Sequence, residues 1–159
     1  MFIGLVLGVY NSGYAQSPQF QFDHNKPIEI TADSLIVTDN QKTGEFIGNV
    51  QIIQDQYRLT ANRIIIEYSD KKKDDNIVKK ITAYKNVYLF TNNQKAANAQ
   101  KMTYDLYSKN LILSDNVLLT YDGNILKGET ITLNTQTRFL KVEGGKQKRV
   151  KAFINAPAR

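Results

Sequence analysis

Cysteine and tryptophan are absent from the 159-residue chain, proline occurs three times, and the one histidine is His24. Without cysteine there is no disulfide, no thiol nucleophile and no thiolate metal site. A metal site built on histidine needs several ligands, which one imidazole does not supply. A serine-histidine-aspartate set would have to recruit His24, which lies in a polar N-terminal stretch ill-suited to holding a triad. No glycine-rich phosphate loop is present, and the isolated pair Gly144-Gly145 reads better as a turn or bulge. Asp70, Asp74 and Asp75 sit among lysines at spacings that do not fit a calcium loop. Nothing singles out a carboxylate pair for glycosidase chemistry. The chain reads as non-enzymatic, with no cofactor and no metal.

Long hydrophobic runs are missing as well. The apolar stretch 2–9 falls far short of the roughly 20 residues that span a bilayer. It is followed by Asn11, Ser12 and Gly13, and Gly13-Tyr14-Ala15 offers small residues where a signal peptidase cuts. Residues 1–15 are therefore expected to be a truncated signal peptide, with Gln16 opening the mature chain. No Lys or Arg precedes the run, as expected of a start placed too far downstream or of a clipped chain. Residues 16–26 read as a flexible lead-in, 27–155 as one domain, and 156–159 as a tail.

What is present is strand-forming. Tyr, Phe, Ile, Val and Thr dominate the middle of the chain, as on pleated, half-buried surfaces. The formal charge is +6, which favours anionic partners. Lys141, Lys146, Lys148, Arg149 and Lys151 cluster near the C-terminus, with only Phe139 and Phe153 close by. Nucleic-acid binding wants more interleaved aromatics, so this cluster reads as a solvated last hairpin, or as a contact for phosphorylated lipid or an acidic partner.

The chain repeats itself. Ala32-Asp33-Ser34-Leu35-Ile36-Val37, Ala61-Asn62-Arg63-Ile64-Ile65-Ile66, Ala99-Gln100-Lys101-Met102-Thr103-Tyr104 and Gly128-Glu129-Thr130-Ile131-Thr132-Leu133 share one pattern. A small residue is followed by two polar ones, then apolar residues at the fourth and sixth places. A second signature follows in Asn49-Val50-Gln51-Ile52, Asn86-Val87-Tyr88-Leu89 and Asn116-Val117-Leu118-Leu119, with Gly145-Lys146 in the fourth slot. Asn49, Asn116 and Gly145 each lie 17 positions after the start of their unit. Asn86 lies 25 positions after Ala61, which places an eight-residue insertion at the charged segment Ser69 to Asn76, expected to be a solvated loop tip.

Apolar residues alternate with polar ones at a period of two, which predicts strands. The inward set is Leu35, Val37, Val50, Ile52, Ile64, Ile66, Val87, Leu89, Met102, Tyr104, Val117, Leu119, Ile131 and Leu133. Turns are expected at Asp39-Asn40, Gly48-Asn49, Asn92-Asn93, Ser108-Lys109-Asn110 and Asp122-Gly123-Asn124. Sheets with one apolar face are not stable alone, so the units must fold that face inward as a sandwich, jelly roll or solenoid. The inward set either packs as a dry core or lines a slot.

Pro27-Ile28-Glu29-Ile30 with Ala32-Asp33, Phe46-Ile47-Gly48-Asn49-Val50, Leu59-Thr60-Ala61-Asn62-Arg63, Lys101-Met102-Thr103-Tyr104, Leu126-Lys127-Gly128-Glu129 and Lys148-Arg149-Val150 carry a further signal. In their order and spacing the chain resembles the OstA-like family over nearly all of the mature chain. The resemblance implies an all-β, elongated, twisted and slightly open β jelly roll built from repeated antiparallel strand units. It implies an interior that shields the acyl chains of lipid A, and a periplasmic place in lipopolysaccharide transport. Partners would be lipopolysaccharide, further copies stacked head-to-tail, and inner-membrane-anchored and outer-membrane components of the same machine. The edges expected to meet are the first strand, with Ile28 and Ile30, and the last, with Val150 and Phe153. A repetitive structural or adhesive β protein with a fully packed core is the alternative.

Overall fold

The structure, a computed structural model, describes residues 20, 22–23, 25–70 and 78–155. The expected signal peptide, His24, the tail and most of the charged insertion lie outside these residues. Among the described residues the period-two pattern is realised as ten strands: β1 (Glu29–Thr31), β2 (Ser34–Thr38), β3 (Thr43–Gln54), β4 (Tyr57–Tyr68), β5 (Val78–Thr91), β6 (Gln94–Asp105), β7 (Asn110–Tyr121), β8 (Asn124–Asn134), β9 (Leu140–Glu143) and β10 (Lys151–Phe153). All pair antiparallel in one sheet, in sequence order from β3 to β8. β2 and β1 lie along one side of β3, against residues 43–47 and 51–53. β9 and β10 likewise share one side of β8. Each edge of the sheet is thus one strand interrupted at its middle.

Each sequence repeat corresponds to two successive strands. Asn92-Asn93 and Asp122-Gly123, with φ of 51° and 61° and of 50° and 76°, close two-residue hairpins whose left-handed pairs match the twist of the strands. The expected turn at Gly48-Asn49 is different: it lies inside β3, not between strands. Gly48-Asn49, Lys85-Asn86 and Asp115-Asn116 are all left-handed pairs, at register shifts between Ile47 and Val50, Tyr84 and Val87, and Ser114 and Val117. They are bulges, and bulges bend a strand and increase its twist. Asparagine recurs because it tolerates the left-handed region better than most side chains.

The bulges line up across the sheet and bend it along one line. Immediately after each, a valine turns inward and meets a small residue: Val50 opposite Ala61, Val87 opposite Ala99, Val117 opposite Gly128. The small residue that opens the second, third and fourth sequence units is therefore the one that lets the bend close. At Gly128 a Cβ would lie 2.7 Å from Val142 Cγ1 and 2.9 Å from the Glu143 carbonyl oxygen. The two halves of the bent sheet face each other. Leu111, from one side of the bend, lines the same small cavity as Leu89 and Leu119 from the other.

If the left-handed pairs set the bend, Asn86→Val should lower stability by about 1–2 kcal/mol through its positive φ, whereas Asn86→Gly should leave it nearly unchanged. Urea midpoints of the two variants, at equal m-values, check this.

Candidate functional site

The inner face of the bent sheet is built in register. Ile66, Ile81, Tyr104, Leu111 and Leu133 form one row across successive strands, and Ile64, Ala83, Met102, Leu113 and Ile131 the next. Beyond the bend, Ile52, Leu59, Leu89, Ala97 and Leu119 form another. Alternation places every second side chain on this face, and the ladder brings equivalent positions side by side.

Eleven of the fourteen residues read as inward are 7% exposed or less: Val50, Ile52, Ile64, Ile66, Val87, Leu89, Met102, Tyr104, Val117, Leu119 and Ile131. Leu133 is partly buried against them. Leu35 and Val37 are corrections to the interior assignment, being 52% and 60% exposed. They pair with Phe46 and Gly44 and so share the inward face. β2 is nevertheless an edge strand, paired only with β3 among the described residues. Ile36, on its other face, is also exposed. The repeat pattern left out Leu59, Ile81, Leu111 and Leu113, all buried. They lie two or more positions outside the hexapeptides; alternation continued back from Val87 and Val117 would have found Ile81, Leu111 and Leu113, whereas Leu59 lies beyond a register shift that changes the inward parity of β4.

The lead-in also departs from expectation. Phe20 and Phe22 are 4% and 7% exposed and belong to the core. The Phe20 ring stands edge-on to Tyr57 and to Tyr104, each 5.4 Å away, and Phe22 lies 5.1 Å from Phe20. The Gln54 side chain clasps this segment: its Oε1 accepts from the Asp23 amide (2.8 Å), and its Nε2 donates to the Asp23 and Lys26 carbonyls. Lys26 Nζ lies 2.7 Å from Asp55. Phe20 and Phe22 alternate with Gln19 and Gln21, a period-two signal too short to mark a strand in a polar stretch.

Between the described inner rows little space is left. The cavity lined by Phe20, Leu89, Leu111, Leu119, Leu133 and Thr135 has about 30 Å³ of free volume, room for roughly one water molecule. The outer face is polar and basic, with cations laid over aromatic rings: Arg58 over Phe90 at 4.1 Å and Lys95 over Tyr88 at 4.5 Å. Among the described residues no group of three or more potential metal-ligating side chains comes together.

The two sheet edges differ. Ile28 and Ile30 are partly buried against the core, while Val150 and Phe153 are 43% and 53% exposed. Glu29, Asp33 and Asp39 mark the β1–β2 edge, where residues 27–41 hold no lysine or arginine. Lys141, Lys146, Lys148, Arg149 and Lys151, against Glu143 alone, mark the β9–β10 edge. Near the charged insertion, Lys42 Nζ lies 3.4 Å from Asp39 and 3.0 Å from Asp70.

Tyr104 is the one phenol of the core row. Its hydroxyl lies 3.3 Å from that of Thr135, and the Phe22 backbone bonds to it. Burial pushes its pKa up, with these hydrogen bonds working the other way. In the unfolded chain it ionises near pH 10. The folded state holds the proton longer, so stability is intact below about pH 10 and falls as pH rises towards the raised value. Tyr104→Phe should flatten that alkaline fall, checked by urea midpoints measured from neutral to alkaline pH.

Comparison with known proteins gives concordant relatives. Residues 29–139 match the family model described as LptA/(LptD N-terminal domain) LPS transport protein. The lipopolysaccharide export system protein LptH of Pseudomonas aeruginosa is 27% identical over 126 residues, 74% of this chain and 69% of that protein. Lipopolysaccharide export system protein LptA of Haemophilus influenzae is 28% identical over 141 residues, 83% of this chain and 78% of that protein. The crystal structure of LptH from Pseudomonas aeruginosa, the LptA-homologous periplasmic component of the lipopolysaccharide transport device, superposes with a TM-score of 0.66. It covers 84% of this chain and 99% of its own at 21% identity, a likeness of fold. A match over most of the chain, two export-system relatives and a shared bent sheet lead to one statement: the chain belongs to the LptA/(LptD N-terminal domain) family of lipopolysaccharide transport proteins.

Proposed function

We propose that this protein carries lipopolysaccharide across the periplasm, shielding lipid A acyl chains between the two halves of its bent sheet. The observation that carries the reading is a continuous apolar inner face contributed by every long strand, with that face left uncovered at Leu35 and Val37. An acyl chain of about a dozen methylenes, at about 0.8 kcal/mol each, would cost roughly 10 kcal/mol to release into water. A carrier must offer apolar cover along the whole route, and it needs no catalytic group.

The uncovered edges support the second half of the reading. The outer sides of β1–β2 and β9–β10 have no strand partner among the described residues, and unpaired strand edges invite another chain. Acidic residues mark one edge and basic residues the other, which suits a head-to-tail contact between copies. Such a heterologous contact does not close on itself. Inner-membrane-anchored and outer-membrane components with the same fold would take the terminal places. Delivery to the periplasm would use the signal peptide read over residues 1–15.

Purified protein should bind lipopolysaccharide saturably and prefer it to phospholipid vesicles; no binding by folded protein would favour the packed structural alternative. A photo-crosslinker at Val37 should label bound lipid and one at Ile36 should not, since both are exposed and differ only in face. Equal labelling would remove the face assignment. Self-association should weaken from low to high salt, and Lys148→Glu/Lys151→Glu should weaken it at low salt and remove or reverse that salt dependence, as seen by sedimentation velocity. Salt-independent association would place the contact elsewhere.

A further inference from the structure

The close packing of the described inner rows raises a question of access. A cavity of about 30 Å³ does not admit an acyl chain, so a carrier with this interior must first give something up. Most of the inner face cannot be given up cheaply, because its residues sit in strands whose ladders would break. Of the buried apolar residues described, only Phe20, Phe22 and Leu106 lie outside a strand. Leu106 is fixed in a hairpin, its amide donating to the Lys79 carbonyl at 2.9 Å. Phe20 and Phe22 are the part of the core that can leave without breaking a sheet.

Their position is that of a wedge. Tyr57 follows the β3–β4 hairpin on one side of the bend, and Tyr104 stands on the other. The Phe20 ring touches both, at 5.4 Å, and also lines the small cavity. Thr91, 3% exposed, lines the same cavity, and its hydroxyl has no hydrogen-bond partner among the described residues. The polar latch is at the rim: the Gln54 clasp is part-buried and the Lys26–Asp55 pair exposed, so water can take over those bonds when the segment moves.

The sizes match. Two phenylalanine side chains bury on the order of 300 Å², and a methylene accounts for about 30 Å². The wedge therefore covers about as much apolar surface as ten methylenes, close to one acyl chain. Exchanging one for the other keeps the interior covered throughout.

We propose that Phe20 and Phe22 are a stand-in ligand, filling an acyl-chain slot between Tyr57 and Tyr104 while the carrier is empty and yielding it to a saturated acyl chain. This rests on the carrier reading above. It adds that the empty protein keeps its interior closed with its own N-terminal segment, so lipid entry competes with that segment. A closed state that predominates lowers apparent affinity by the fraction of molecules that are open.

The test uses the full chain with 4-fluorophenylalanine at Phe20 or at Phe22, titrated with lipopolysaccharide and followed by fluorine NMR. Both resonances should move from a buried to a solvent position in step with lipid binding. In parallel, Phe20→Ala/Phe22→Ala should bind lipopolysaccharide at least tenfold more tightly, provided circular dichroism shows it folded. Should that variant not fold, the fluorine titration of the otherwise unchanged chain decides alone. Saturable lipid binding with both resonances unmoved, or a folded variant that binds no more tightly, would overturn the wedge and leave the carrier reading standing. Absence of lipid binding in the labelled chain would remove both.

Discussion

The architecture depends on one backbone constraint, the line of left-handed residue pairs that bends the sheet. Gly48-Asn49, Lys85-Asn86 and Asp115-Asn116 hold positive φ at equivalent places in β3, β5 and β7. Left straight, the strands would expose one apolar face to water. Bent at this line, the rows holding Ile64, Ile81 and Leu111 come to face those holding Leu59, Leu89 and Leu119, and all are buried. The inward valines and their Ala or Gly partners follow from the same constraint, because a tight bend leaves room for only one large side chain of each pair. Even the broken edges reflect it. β1 gives way to β2, and β9 to β10, opposite the bend in their neighbours.

A transport protein with such an interior must reconcile two demands. Apolar surface is needed to accept acyl chains, yet exposed apolar surface promotes unwanted association. Here much of the face is covered by its own opposite half, and the two phenylalanines of the lead-in pack against it beside Tyr57 and Tyr104. The outer face meets the second demand differently. Its aromatic rings Tyr84, Tyr88 and Phe90 lie under Arg63, Lys95 and Arg58, so the long cationic side chains cover apolar surface while keeping their charge in water. Ile47, Tyr107, Ile112 and Ile125 stay exposed along the sheet, and the other exposed apolar side chains gather at its two edges: Leu35, Ile36 and Val37 at one, Phe139, Val150, Phe153 and Ile154 at the other. Those edges are the places where a further copy or a relative with the same fold would attach under the proposed function.

Much of this was legible in the residue order. Period-two alternation identified the strands and eleven buried inward positions, because side-chain direction in a strand is a purely local property. The repeat itself encoded the bend: its opening Ala or Gly and its Asn-Val signature are the two sides of the fold line. The Asn-Val signature was read partly as a turn at Gly48-Asn49, since a left-handed pair looks the same in a bulge as in a hairpin. Only the pairing of β3 on through Val50 with Ala61 distinguishes them.

The sequence by itself determined the class of sheet, the inward face, the spacing of its units and, through short motifs in order, the family. Tertiary structure decided which inward residues have something opposite them. Leu35 and Val37 carry the same pattern as Ile64 and Ile66, but they stand on an edge strand, and exposure is set by neighbours rather than by periodicity. It also decided that Phe20 and Phe22 are core. Their contacts, to Tyr57 and Tyr104, come from strands on opposite sides of the bend, and no local pattern records a contact that exists only once the sheet has folded over.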